Sequence, residues 1–158
     1  MSMNLWDEDR IRDAIRIARS AREHGNHPFG AVLTDNNGKV LLTAENSVVT
    51  DNDCTAHAET NLVRKACKLY KSDFLSLCTI YASTEPCPMC SGAIFWSNIR
   101  RVVFGLSEKT LYSLTPGDSD DVLYLKCQEV MKKGKKKIQV IGPLLENEAL
   151  EVHKGFWG

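Results

Sequence analysis

Hydrophobic positions along this chain change their period repeatedly, and each change marks an element. Between residues 7 and 24, Ile11, Ala14, Ile15, Ala18 and Ala21 recur at helical spacing. That predicts an amphipathic helix, with Asp7 available as its cap and Gly25 as its stop. "AVLTDNNGKVLLTA", 31 to 44, places two β-prone runs around Asp35, Asn36, Asn37 and Gly38. These turn residues bond to their own backbone or tolerate positive φ, so a β-hairpin is expected. Residues 46 to 55 are polar and read as a loop. Residues 56 to 69 read as a second helix capped by Thr55 or Asp53. "LCTIYAS", 77 to 83, predicts a third strand, and Pro86 suits the first position of a third helix ending near Ser97. "RVVFGL" is a fourth strand, 107 to 119 a loop, 120 to 132 a helix and "KKIQVIG" a fifth strand. "LENEALEVHKGFW" is a closing helix that runs into an aromatic tail.

Strands alternating with helices after one hairpin imply a mixed sheet between helices. The expected class is therefore α/β, a three-layer α-β-α sandwich with a five-stranded mixed sheet. The 158 residues suit one domain, 1–158, in which 143–158 form the closing helix and tail. Twenty basic residues balance twenty acidic ones, which removes any global pull toward nucleic acid or an anionic membrane. No apolar run approaches spanning length, and "MSMNLWDEDR" lacks the basic and apolar regions of a signal peptide. A cytoplasmic protein with no membrane partner is the expectation. In a reducing compartment, six cysteines at 54, 67, 78, 87, 90 and 127 need not pair, and a CxxC points to metal or redox chemistry.

Two stretches carry that chemistry. "CTAHAETNLVRKA", 54 to 66, puts His57 two residues before Glu59 at a predicted helix start. "TEPCPMCSGAIFW", 84 to 96, puts Cys87 and Cys90 three apart at another. Residues three apart share a helix face, so both sulfurs can reach one ion. Helix N-termini also favour thiolate. Imidazole and two thiolates make three zinc ligands with no obvious fourth, which leaves the open position of a catalytic site. Glu59 can line the same pocket and carry protons between water and a substrate nitrogen. A structural zinc or a redox dithiol would need neither Glu59 nor an open site. Cys67 and Cys78 fall on apolar faces and are expected in the core, while Cys54 is placed at a pocket entrance. Trp6 is expected to pack the first helix, and His153 to sit on a helix surface.

H-x-E followed by P-C-x-x-C is the signature of zinc deaminases. With both halves in order, the sequence resembles the cytidine deaminase-like superfamily from about residue 10 to 142. The likeness is strongest to the branch holding guanine deaminases, fungal cytosine deaminase and tRNA adenosine deaminases. The resemblance implies one Zn2+ per chain on His57, Cys87 and Cys90, with Glu59 as general acid and base. It also implies that the backbone N–H groups of Ala58 and Cys87 face substrate and that Asn46 bonds to the base. "HPFGAV", containing Phe29, and "GAIFW", containing Trp96, are similar to bacterial guanine deaminases, as is the acidic pair Asp120 and Asp121. A carboxylate suits guanine, which offers a ring N–H and a 2-amino group. Asp118, Asp120 and Asp121 could equally cap a following helix. Phe156 and Trp157 stand where related enzymes lid the site, across a dimer in some cases, or else they pack on the core.

The resemblance thus implies deamination of a free purine base, guanine to xanthine plus ammonia, by a homodimer acting in purine metabolism. tRNA adenosine deamination is the alternative that the basic run "KKGKKK", 132 to 137, would serve by contacting phosphate. That run otherwise reads as a solvated turn. Cytosine or another nucleobase or nucleoside is a further alternative, since the zinc core does not encode ring size. A non-catalytic zinc-stabilised subunit is the reading outside enzymes, and retention of Glu59 argues against it.

Overall fold

In the computed structural model, which describes residues 3–158, α1 (Asp7–Glu23) leads into a hairpin of β1 (Gly30–Thr34) and β2 (Val40–Glu45). One turn of helix, α2 (Val48–Asp51), precedes α3 (Ala58–Leu69), and another, α4 (Ser72–Leu75), precedes β3 (Thr79–Thr84). Then follow α5 (Pro88–Ser97), β4 (Arg101–Leu106), α6 (Glu108–Tyr112), α7 (Cys127–Lys132), β5 (Gln139–Ile141) and α8 (Glu146–Glu151). The hairpin closes as its turn residues predict. Asp35 Oδ1 accepts from the amides of Asn37 and Lys39, and Gly38 takes a φ of +81°.

The five strands lie in the order β2-β1-β3-β4-β5. β1 is antiparallel to β2 and β3, whereas β3, β4 and β5 run parallel. β1 and β3 are buried along their whole length, because helices cover both faces of the sheet. Ala31, Leu33, Ile80 and Val102 pack against Leu62 and Ala66 of α3, Ile94 of α5 and Met131 of α7. Val32, Tyr81 and Val103 pack on the other side against Ile11, Ala14 and Ala18 of α1 and Ala149 of α8. The architecture is the expected α-β-α sandwich with a mixed sheet.

α1 is tied to the sheet by a buried ion pair. Asp7 is fully buried and accepts two hydrogen bonds from Arg101, at 2.9 and 2.6 Å, one from the Tyr81 hydroxyl at 2.6 Å and one from the Asn4 amide at 2.7 Å. Burial pushes its pKa up, but the bonds from Arg101, Tyr81 and Asn4 outweigh that and leave it below the usual carboxylate value.

Several local expectations are corrected. Asp7 is the first helical residue rather than the cap, its carboxylate being drawn inward by Arg101. Neither Thr55 nor Asp53 caps α3; Asp53 instead binds Thr55, and His57 occupies the cap position. Pro88, not Pro86, takes the first position of α5. The 107–119 segment contains α6, started by Ser107, whose hydroxyl accepts from the Thr110 amide. Helix does not begin at 120: residues 121 to 126 run without regular structure, and α7 starts at Cys127, whose amide is held by Glu85. Cys67 is exposed while Cys78 is buried, and His153 is buried rather than on a surface. Trp6 does pack on the α1 side of the core. Among the described residues, no helix is long and apolar enough to cross a membrane.

Candidate metal centre and its cavity

Two helices begin beside each other, and the site lies where they do. His57 and Cys87 each hold the residue before a helix, α3 and α5, in extended conformation (φ/ψ −69°/153° and −66°/171°). Cys90 follows in the first turn of α5. The Nδ1 of His57 is 3.5 Å from the sulfur of Cys87 and 3.6 Å from that of Cys90, and all three donor atoms lie within 4.8 Å of one another. Zinc bonds sulfur at about 2.3 Å and imidazole at about 2.0–2.1 Å, so a tetrahedral centre sets its N and S ligands about 3.5–3.6 Å apart. The two His57–sulfur separations therefore match a zinc centre, and three ligands leave one position open. Thr60 Oγ1 sits 3.2 Å from the Cys90 sulfur and steadies it from behind. The Cys87 thiol is drawn well below its usual pKa, first by its hydrogen bond with Cys90 and then by His57.

Glu59 stands in the first turn of α3, only 7% exposed. Burial pushes its pKa up to about 7, and the nearby Cys87 charge adds to that. A carboxyl near neutrality can both take and return a proton.

The cavity beside this cluster has a volume of about 870 Å³. It opens beyond the carboxyl ends of β3 and β4, the usual ligand position in sheets with parallel strands. Glu85, just after β3, builds that wall. Its amide donates to the Leu106 carbonyl at 2.6 Å, and its two carboxylate oxygens accept from the amides of Glu108 and Cys127, each at 3.0 Å. One side chain thus ties the loop carrying Cys87 to the starts of α6 and α7. Glu108 also lines the cavity, and its pKa is raised to about 8 by burial first, then by the charges of Glu85 and Cys87, against a weaker opposing bond from the Leu125 backbone.

The C-terminal tail closes one side of the chain's own cavity, with Phe156 and Trp157 in its lining. Trp157 Nε1 donates to His153 Nδ1 at 2.9 Å, and the two rings stack at 17°. That leaves the other His153 nitrogen to face Thr84 Oγ1 at 3.3 Å. Burial lowers the His153 pKa to about 4, so the ring is neutral and serves as a core post for the tail. Arg22 clamps the same segment by donating to the carbonyls of Val152 and Lys154 and stacking over Phe156.

Of the residues expected at the site, His57, Glu59, Cys87, Phe29, Asp121, Phe156 and Trp157 line the cavity together, and so does Cys54 at its edge. Cys90 completes the metal cluster from below. Asn46 and Ala58 are buried and do not line it; Asn46 Oδ1 accepts from the Val48 amide, which leaves the carboxamide NH2 as the group it can offer. Trp96 is corrected: it is 80% exposed and outside the cavity, because Ile94 of the same helix points inward and a residue two further on points away. His27, Thr84, Glu85 and Glu108 line the cavity without having been singled out. Their signal was adjacency to motifs: His27 precedes Phe29 by two, and Glu85 precedes Cys87 by two.

Residues 4–106 match the family model described as the cytidine and deoxycytidylate deaminase zinc-binding region. The chain is 45% identical over 148 residues to a Schizosaccharomyces pombe protein named "Probable cytosine deaminase", covering 93% of this chain and 90% of that one. It is 47% identical over 77 residues to a guanine deaminase of Bacillus subtilis, covering 49% of each. The fold superimposes on a solved guanine deaminase from Nitrosomonas europaea with a TM-score of 0.76 at 24% identity, covering 92% of this chain and 81% of that one.

Proposed function

The chain belongs to the cytidine and deoxycytidylate deaminase zinc-binding family, a zinc-dependent deaminase family, and from that premise we propose that it hydrolyses the exocyclic amine of a free nucleobase, most specifically guanine to xanthine and ammonia. The observation that carries this reading is the convergence of His57, Cys87 and Cys90 with a buried carboxyl, Glu59, on one cavity.

His57, Cys87 and Cys90 would hold the zinc. Zinc at that position supplies the Lewis acidity that makes water a nucleophile near neutral pH. Glu59 takes a proton as water adds to the amino-bearing ring carbon and gives it to the adjacent ring nitrogen. It then takes the remaining hydroxyl proton of the tetrahedral adduct and delivers it to the amine, so that the C–N bond breaks, the hydroxyl becomes a carbonyl and ammonia leaves. Phe29, Phe156 and Trp157 supply flat apolar walls for a ring and exclude water from it. Asp120 and Asp121 reach the rim of the cavity, where carboxylates accept the N–H donors of guanine.

Cytosine is the second reading, favoured by 45% identity along 93% of the chain to the relative named for that base. The basic run gives tRNA less support. Lys132, Lys136 and Lys137 line a separate hollow with Arg100, and Lys136 is already bonded to the Phe95 carbonyl at 2.9 Å. A non-catalytic subunit would have no use for Glu59 at its present place. Homodimerisation is supported by a consecutive exposed apolar run, Val122, Leu123, Tyr124 and Leu125, beside the cavity. Unpaired thiols at all six cysteines suit a cytoplasmic setting.

The test is ammonia release from guanine, cytosine, adenine, their nucleosides and a tRNA anticodon stem. Turnover of guanine supports the reading stated here, and turnover of cytosine alone replaces the base but keeps the chemistry. Activity confined to tRNA, or none in zinc-loaded protein, refutes it.

A further inference from the structure

The cavity wall contains one buried polar group that the fold leaves unsatisfied. Among the described residues, buried side-chain atoms without a hydrogen-bond partner occur on Arg10, Thr34 and Glu108, and only Glu108 lines the cavity. Glu108 is 1% exposed, yet neither of its carboxyl oxygens has a well-formed hydrogen bond; only the Leu125 backbone lies near enough to act weakly on it. Its neighbour Glu85 shows the contrast, since both of its oxygens are taken by backbone amides. The fold places Glu108 firmly by its own amide, at the start of α6, and leaves its carboxyl facing Glu85, Glu59 and Cys87, none of which can neutralise it.

Burying a carboxyl in this way destabilises a protein unless something completes its bonding. A ligand that fits would bring N–H donors on a flat ring. Guanine and cytosine both keep ring N–H groups in addition to the amine that is lost. We infer that Glu108 is a specificity-determining residue whose carboxyl receives a ring N–H of the bound base. The inference rests on the nucleobase reading above. It also gives the site a reason to prefer a free base to one alkylated at the nitrogen that Glu108 reads, because a site built to bond an N–H penalises its loss.

The experiment compares Glu108→Gln and Glu108→Met with the unsubstituted zinc-loaded protein. Steady-state kinetics with guanine and cytosine are combined with zinc content, Tm, and calorimetric titration of both bases in a Glu59→Gln background, where no turnover intervenes. In Glu108→Met, kcat/KM for the base that is turned over is expected to fall about 3- to 10-fold, the range of a hydrogen bond to a neutral group. The loss falls mainly on KM and on affinity, with zinc retained and Tm unchanged or higher. KM and affinity within twofold of the unsubstituted protein overturn the inference. A lowered Tm in both variants with unchanged affinity also overturns it, because that marks a structural carboxyl. If the unsubstituted protein releases no ammonia, the reaction proposed above fails. The calorimetric comparison then still decides the role of Glu108: weaker binding in the variants supports it, and equal binding or no binding of either base overturns it.

Discussion

Replacing Asp7 by Asn tests how α1 is held against the strands that carry the site. The side chain is fully buried and accepts four hydrogen bonds, two of them from Arg101, whose own side chain is 13% exposed. Asn keeps the shape and one acceptor oxygen but removes the negative charge that the guanidinium faces here. Breaking a buried pair from one side costs about 3–5 kcal/mol, and the retained shape puts this case near about 3 kcal/mol. In a chain of this length that is roughly 6–12 °C in Tm. The pH dependence has a definite sign. Asp7 has a folded pKa below its unfolded value, so its stabilisation is complete above the unfolded pKa and fades as pH falls through the folded one. Denaturant unfolding from pH 7 down to pH 3 should therefore show the largest gap between the two proteins at neutral pH and a narrowing gap in acid. A gap below about 1 kcal/mol at pH 7, or one that widens in acid, would refute the reasoning. Asp7→Asn combined with Arg101→Met should show a loss smaller than the sum of the two single losses, because the two side chains interact directly.

Four other outcomes follow from the site. Glu59→Gln should keep zinc and fold while kcat falls by about 10²–10⁴ or more, since proton transfer by a placed side chain contributes that much; retained turnover would place the base elsewhere. Deleting residues 156–158 removes Phe156 and Trp157 from the cavity wall and uncovers His153. KM should rise about 2- to 10-fold, the worth of an aromatic contact, with zinc content unchanged; an unaffected KM would show that the tail only packs. Chelation should abolish ammonia release, and added zinc should restore it, whereas Cys90→Ser should show neither zinc nor turnover in elemental analysis and assay.

The metal cluster was legible from residue types and spacing alone. His-x-Glu and Cys-x-x-Cys are short enough that a helix start fixes how their members sit relative to one another. The cavity wall was only partly legible. Phe29, Asp121 and the tail aromatics carried a likeness that pointed inward, and the fold puts them there. Trp96 carried a similar likeness, but its place on α5 turns it to solvent. Glu108 had no motif to announce it, and Glu85 had only its place two residues before Cys87. Their roles come from backbone amides 23 and 42 residues away from Glu85, partners that no local window contains.

The same division runs through the fold. By itself the sequence determined α1, the hairpin around Asp35–Gly38, β4 and the alternation that makes an α/β sandwich, because periodicity and turn chemistry act over a few residues. It also determined which atoms could bind zinc. Only the tertiary structure decided that residues 121–126 run without regular structure up to Cys127, that His153 becomes a buried post, and that the tail closes its own chain's cavity. It alone brought His57 to within 3.6 Å of sulfurs 30 and 33 residues further on. Those outcomes depend on burial and on hydrogen bonds between distant segments, whose free energy is realised only once the sheet has assembled.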